Sequence, residues 1–345
     1  MLKSKTLFVV GAGASKEVGL PVGSELKFII GSKLNIRFED GHRLASGDRT
    51  IWDALEIYSR KVDSSGGSAN KYRGAAITLS DALEFGSSID AVLDTHWENA
   101  RAQLCGKLGI IASILEAEKK SQLALTSDRV LKSSSITNTW YSRFFERLVD
   151  GVPRSDPGRI FQNVSFITFN YDRCIEHFLF QAVKQYFNFT DGEARSAMEP
   201  LKVLHPYGIV GSLPWQSLAD GLEFGSDFDA RRLLTIVNKI QTFTEQMSDQ
   251  EAVGEIRKQV READKIVFLG FSFHPQNMKL LDPGEECVAR YIYATVYGLS
   301  ESDSALIAQD ILGILKRPQH QFSLESPRNV TCAGLIANYA RSIAE

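Results

Sequence analysis

The sequence predicts an α/β protein: a mainly parallel sheet with helices on its faces. Three observations carry that reading. Short apolar runs recur at 5–10, 163–170 and 265–273, and each ends in glycine or a small polar residue. The stretches between them show helical periodicity, and strands separated by helices pair in parallel through crossovers. At 345 residues, 43% apolar and 23% charged, the chain has ample core for such a sheet.

Taken in order, 5–10 reads as the first strand and 23–34 as the helix after it. Residues 35–80 are polar and rich in glycine and serine, with "SSGGSAN" at 64–70 as the expected mobile loop. Helices are expected at 98–125 and 139–150. The strand at 163–170 feeds a helix at 172–187, and a short strand ends in "KVLHPYG", 202–208. Helical stretches at 227–247 and 251–263 precede the strand 265–273, and a fourth strand is read at 288–298. Helices at 303–317 and at the end of the chain close it. The expectation is one domain over 1–345, with a helical insertion or lobe at roughly 80–150 and C-terminal helices at 303–345.

Composition removes several classes. With 39 basic and 42 acidic residues, the net charge of −3 gives no chain-wide basic field, so direct nucleic-acid binding is not expected. No window of about eighteen apolar residues suggests a membrane span, and the N-terminus lacks a secretory pattern. Cys105, Cys174, Cys287 and Cys332 are far apart and form no CxxC pair. Free thiols in a reducing cytoplasm are expected, and no metal.

The chemistry-bearing motifs sit at the ends of the apolar runs. "VVGAGAS" is a glycine turn, but the third glycine of G-x-G-x-x-G is replaced by Lys16, and no P-loop lysine follows. Gly11, Ala12, Gly13 and Ser15 still suit an anion at a helix start. Gly13 keeps the backbone bare where phosphate approaches, so Gly13→Val is expected to weaken binding with modest loss of stability. "FITFNYD" places Thr168, Asn170 and Asp172 at a second strand end, "VLHPYG" places His205 at another, and "VFLGFSF" places Gly270 and Ser272 at a further one. Taken singly, Asn170 reads as a helix cap and His205 as a loop histidine. Ligands of open parallel sheets bind beyond the carboxyl ends of the strands, so together these residues describe one crevice.

The set G-A-G-A-S, T-x-N-x-D, L-H-x-x-G and G-x-S resembles the sirtuin-like NAD-binding domain, whose fold is Rossmann-like. The resemblance is strongest to the sirtuin-like proteins of bacterial anti-phage defence, in which "SIDAVLD", Ser88 to Asp94, also has a counterpart. The motifs span residues 7–273. The resemblance implies NAD as substrate, with Asn170 and His205 at the scissile bond. His205 is assigned as a neutral general base, and Asn170 as the holder of water and a ribose hydroxyl. Gly11, Ala12, Gly13 and Ser15 take the pyrophosphate, with Thr168, Asp172, Gly270 and Ser272 completing the binding set. Asp90 could face the pocket or solvent. His177 reads as packing and His274 as a loop residue.

Three departures separate the chain from protein-deacylating sirtuins. Pro21 is followed by Val22, Gly23 and Ser24, the histidine motif reads H-P-Y-G, and the four zinc cysteines are missing. The expected activity is therefore NAD glycohydrolysis that depletes NAD in defence. A non-catalytic NAD or ADP-ribose sensor is the alternative, a deacylase ranks lower, and a dehydrogenase lowest. The resemblance also implies an assembly: a homo-oligomer, with a partner such as a HerA-like ATPase. "TWYSRFFERL" and "YIYATVY" are candidate contact surfaces.

Overall fold

Leu7, Phe8, Val9 and Val10 carry no side-chain polar atom, and the strand they form, β1 (Thr6–Val10), is buried along its whole length. In the computed structural model, which describes residues 1–62, 68–316, 323–324 and 329–345, this strand lies inside a parallel sheet. The other strands are β2 (Arg37–Glu39), β3 (Arg43–Ser46), β4 (Val164–Thr168), β5 (Lys202–Leu204), β6 (Lys265–Leu269), β7 (Tyr291–Ala294) and β8 (Ser323–Leu324). β2 and β3 form a separate antiparallel hairpin. The main sheet runs β5-β4-β1-β6-β7-β8, every neighbouring pair parallel. Counted within this sheet the order is 3-2-1-4-5-6, that of dinucleotide-binding folds, with the switch point beside β1. The α/β, mainly parallel prediction holds.

Period-two alternation splits the sheet into two faces. Leu7 and Val9 join Ile167, Ile266, Phe268 and Ile292 in one core, with Gln250–Glu262, Pro275–Leu281 and Glu301–Leu315 against the sheet. That core continues into the mutually packed helices Gly23–Leu34, Ala69–Phe85 and Ala100–Lys120. Phe8 and Val10 join Phe166, Val267, Leu269 and Tyr293 in the other, under Trp140–Val149, Cys174–Phe187 and Cys332–Ala344. Of the 80–150 stretch, Trp140–Val149 packs on the sheet, Phe144 against Phe8 and Phe166, while Ala100–Lys120 packs chiefly against Gly23–Leu34 and Ala69–Phe85.

Two stretches differ from the sequence reading. Residues 35–80 hold the hairpin and two helices, Arg49–Val62 and Ala69–Phe85. Arg49–Val62 buries Ile51, Ala54 and Leu55 at helical spacing behind a strongly polar outer face, so its periodicity is present inside a stretch whose overall composition reads as loop. Residues 64–67 of the expected loop lie outside the described residues, while Ser68 caps the following helix. The stretch 227–247 is not one helix. Ala230–Ile236 ends early, and Thr242 with Glu245 makes a capping box that starts Phe243–Ser248 afresh.

The aromatic segments read as contact surfaces are largely core. Trp140, Tyr141, Phe144 and Leu148 are buried, as are Ile292, Tyr293 and Val296, leaving Tyr291 and Tyr297 outside. The Trp140 indole donates to Ala14 O at 3.0 Å, which anchors the glycine turn from below.

The carboxyl ends of β1 and β6 are locked together through bare backbone. Gly11 N donates to Leu269 O and Gly13 N to Gly270 O, both at 3.0 Å. A Cβ on Gly11 would sit 2.6 Å from Gly270 O, and one on Gly13 2.8 Å from Gly270 Cα. Gly270 itself has φ +56°, and a Cβ there would strike Ala14 N. These glycines are therefore required by the fold before any ligand arrives, which corrects the expectation for Gly13. Gly13→Val should cost roughly 3 kcal/mol, as overpacking against immovable backbone does. Denaturant melts check this, and a variant as stable as the parent would refute the interlock.

Candidate active site

A cleft of about 430 Å³ opens beyond the sheet's carboxyl edge. Its floor is made by the turns after β1 (Gly11, Ala12, Gly13), β4 (Phe169, Asn170) and β6 (Gly270, Phe271, Ser272). Helix starts converge on it. Gly23–Leu34 brings Val22, Gly23 and Ser24, Ile89–Thr95 brings Ser88 and Asp90, and Pro275–Leu281 brings His274, Gln276 and Asn277. Neither lysine nor arginine is among the lining residues. An anion here would rest on amides, hydroxyls and the positive ends of helices.

The two glycine amides of the first turn are already spent on β6, so Gly11 and Gly13 line the cleft without offering those N–H groups. Open space lies around Gly23, where an added Cβ would meet nothing within 4 Å. The start of Gly23–Leu34 borders open space at the cleft, with Glu25 Oε2 accepting from Val22 N at 3.0 Å. An aromatic wall stands on one side. Phe169 packs at 5.1 Å from Phe271 and 5.8 Å from Tyr207, ring centre to ring centre, and Tyr207 donates to Asn277 Oδ1 at 2.6 Å.

Asn170 is held from behind. Its Nδ2 donates to Gly11 O (3.2 Å) and Ser15 Oγ (3.0 Å), and its N–H to Thr168 Oγ1 (3.3 Å). No described residue donates to its Oδ1, and Asn170 lines the cleft. Ser15, Thr168 and Asp172 do not line it. They are buried supports, Asp172 accepting from Cys174 N at 3.0 Å as the next helix begins. Burial pushes the Asp172 carboxyl above its ordinary range despite that bond. Arg173 beside it is fully buried and paired with Glu118, donating from Nε at 3.0 Å, and it also reaches Leu222 O at 2.6 Å.

His205 is close to Asn170 but is not among the cleft's lining residues. Its side chain is 10% exposed. Nδ1 donates to Asn170 O at 3.3 Å, and Nε2 faces Glu176 Oε1 at 2.7 Å. Burial alone would lower the imidazole's pKa, but the Glu176 carboxylate outweighs it and holds His205 above its ordinary 6.5. Glu176 is held below the usual carboxylate range, its own burial outweighed by His205. Both neighbours of the ring are acceptors, and the two shifts each favour the charged form of its group. His205 is thus turned onto Glu176 and stands off the cleft's lining, where the sequence reading put a free neutral base in the pocket. Glu176 was invisible beforehand because it looks like any helical glutamate until His205 folds onto it.

Asp90 does face the cleft, half-buried, and accepts a hydrogen bond from the Tyr171 hydroxyl. Burial raises its carboxyl above the ordinary range against that bond. His177 lies elsewhere: Nε2 contacts Leu123 O at 2.9 Å, the ring stacks on Phe224, and burial lowers its pKa to about 4. Among the described residues no cluster of histidine, cysteine and carboxylate side chains could hold a metal, and no helix is long and apolar enough to cross a membrane. No protein-family model matches the chain, and no curated protein matches it in sequence.

The Glu176–His205 pair makes a pH prediction. His205's raised pKa contributes stability that is complete below about 6.5 and lost as pH rises through its folded value. Glu176's lowered pKa contributes stability present above about 4.5 and lost as pH falls through its folded value. Glu176→Gln should cost roughly 3 kcal/mol at neutral pH and lower the His205 titration, since burial is then opposed only by the Asn170 carbonyl and Asp172. Imidazole NMR titration reads this, and an unmoved His205 would refute the pairing.

Proposed function

We propose that the chain binds NAD in this cleft and hydrolyses its nicotinamide–ribose bond. The observation that supports the reading most is Asn170: an amide fixed through Nδ2, with Oδ1 left at a cleft formed by the switch-point loops. The resemblance in the G-A-G-A-S and T-x-N-x-D motifs adds to it. The dinucleotide's phosphates suit the helix starts, and a planar ring suits the Phe169, Phe271 and Tyr207 wall.

Nicotinamide is a cationic leaving group and departs neutral, taking the electron pair of the C–N bond, so it needs little acid catalysis. The ribose carbon becomes cationic in the transition state. Asn170 Oδ1 and the Asp90 carboxylate are the groups at the cleft that favour that charge. As water's oxygen bonds to the ribose carbon, its proton passes to Asp90, whose raised pKa suits a base. His205 acts through its contact with Asn170 O and has no direct role in this scheme.

The withdrawal of His205 into an ion pair favours a second reading, a sensor that holds NAD without turnover. Control by an assembly, either self-association or a partner such as a HerA-like ATPase, belongs to the proposal through the resemblance to defence proteins.

Purified protein incubated with NAD should release nicotinamide and ADP-ribose. Asn170→Ala and Asp90→Asn should each lower the rate at least about a hundredfold, the scale of lost positioning or base catalysis. Acetyl-lysine peptide should not accelerate release, and chelators should not slow it. NAD binding without release, alone and with a candidate partner, would favour the sensor; peptide-dependent release would favour a deacylase.

A further inference from the structure

Asp90, His274 and the phenol Tyr207 are the ionisable side chains in the cleft's lining, and the proposed reaction leaves His274 unused. Asp90 and His274 stand on elements tied to each other. Asp94 follows Asp90 by one turn in Ile89–Thr95, and its Oδ2 accepts from Gln276 Nε2 at 2.8 Å, two residues beyond His274. Side chains four positions apart share a helical face, so the face that meets Gln276 carries Asp90 as well. The imidazole is near enough for its charge to favour the Asp90 carboxylate against burial. The other polar groups nearby are engaged: Tyr171 donates to Asp90, Tyr207 to Asn277, Thr244 to Asp94 and Lys107 to Glu245. His274 is not. Its side chain leaves the helix Pro275–Leu281 uncapped, and its half-buried ring makes no hydrogen bond among the described residues.

The turn that presents His274 is imposed by the core. Phe273, just before it, has φ +54°, a left-handed backbone that a residue with a Cβ rarely adopts. Its buried ring packs 5.3 Å from Phe268 and 5.1 Å from Phe271, centre to centre. Strain of this kind persists only where its surroundings enforce it, and it gathers at functional sites. In the proposed hydrolysis every turnover leaves a proton on Asp90, and burial favours keeping it there. That proton must be cleared before the next cycle. We propose that His274 is the proton relay of this site, taking from Asp90 the proton of the attacking water and releasing it to solvent. The Asp90 O–H bond breaks as an N–H bond forms on the lone pair of the neutral imidazole. The imidazolium then gives its proton to water, and both groups return to their starting states. The inference rests on the hydrolase reading.

Two measurements on the full chain test the relay, with melting curves confirming that the variant is folded. Without NAD, the Asp90 carboxyl, followed by carbon NMR, should titrate higher in His274→Ala than in the parent, because the cation that opposes its burial is gone. With NAD at low buffer concentration, His274→Ala should lower kcat for nicotinamide release about tenfold or more, with KM nearly unchanged. Added imidazole should restore the variant's rate and leave the parent's unchanged, a rescue that a merely structural histidine would not show. An Asp90 titration unmoved by the substitution, an unaltered kcat, or a loss that imidazole does not restore would each overturn the relay while the hydrolase reading stands. No nicotinamide release by the parent, alone or with a candidate partner, would overturn that reading and the relay with it.

Discussion

The meeting of two bare backbones, the turn after β1 and the turn after β6, is the constraint on which the rest of the carboxyl edge depends. Gly11, Gly13 and Gly270 leave so little room that a single methyl on any of them would strike peptide atoms. That closeness draws the first and fourth sheet strands' turns into one floor and leaves the cleft at the switch point. It also spends the amides of Gly11 and Gly13 on protein carbonyls. Those two N–H groups are therefore not free for a ligand, although such a glycine turn in a sequence suggests that they are.

Asn170 stands on that floor, and its support is unusually charged for a buried place. Arg173–Glu118 is fully buried, and Glu176–His205 nearly so. Buried pairs of this kind return little net stability, because desolvation consumes much of the attraction; breaking one, however, leaves an uncompensated charge in the core. Their effect here is geometric. Arg173 ties the loop after β4 to the end of Ala100–Lys120 and to Leu222 O, while His205 ties Asn170 O to the next helix through Glu176. A neutral packing solution would have no reason to hold one carbonyl in one place.

The sequence made the fold legible where one face or both faces of an element are apolar. β1, β4 and β6 read as strands because they are buried throughout, and their glycine or polar ends marked the cleft. Arg49–Val62 did not read as a helix, because the polar composition of 35–80 outweighed the spacing of its three buried apolar residues, Ile51, Ala54 and Leu55. Within the site, Gly11, Ala12, Gly13, Asn170, Gly270 and Ser272 were legible from strand ends alone. Ser15, Thr168 and Asp172 lie one layer below, a depth that a linear motif does not encode. The charge state of His205 was not legible either, since it depends on Glu176, 29 positions away. Asp90, left open between pocket and solvent, is settled as cleft-facing by the helix that Ser88 starts.

The source of the cleft's field has a further consequence. With no lysine or arginine in the lining, what the cleft offers an anion is helix starts and fixed amides, and these do not titrate. Lysines would have given a long-range field, easily screened by salt and open to many anions. Fixed dipoles act within about a helical turn, so they reward a ligand whose phosphates reach the right atoms and ignore one that merely carries charge. The ionisable side chains in and under the cleft are Asp90 and His274 in its lining, and Asp172 and the His205–Glu176 pair beneath. The first two face the opening, and the pair holds the backbone of Asn170. Under the proposed reading, binding and chemistry would be separated physically: the backbone would hold the anion, and a few ionisable side chains would govern what happens to it.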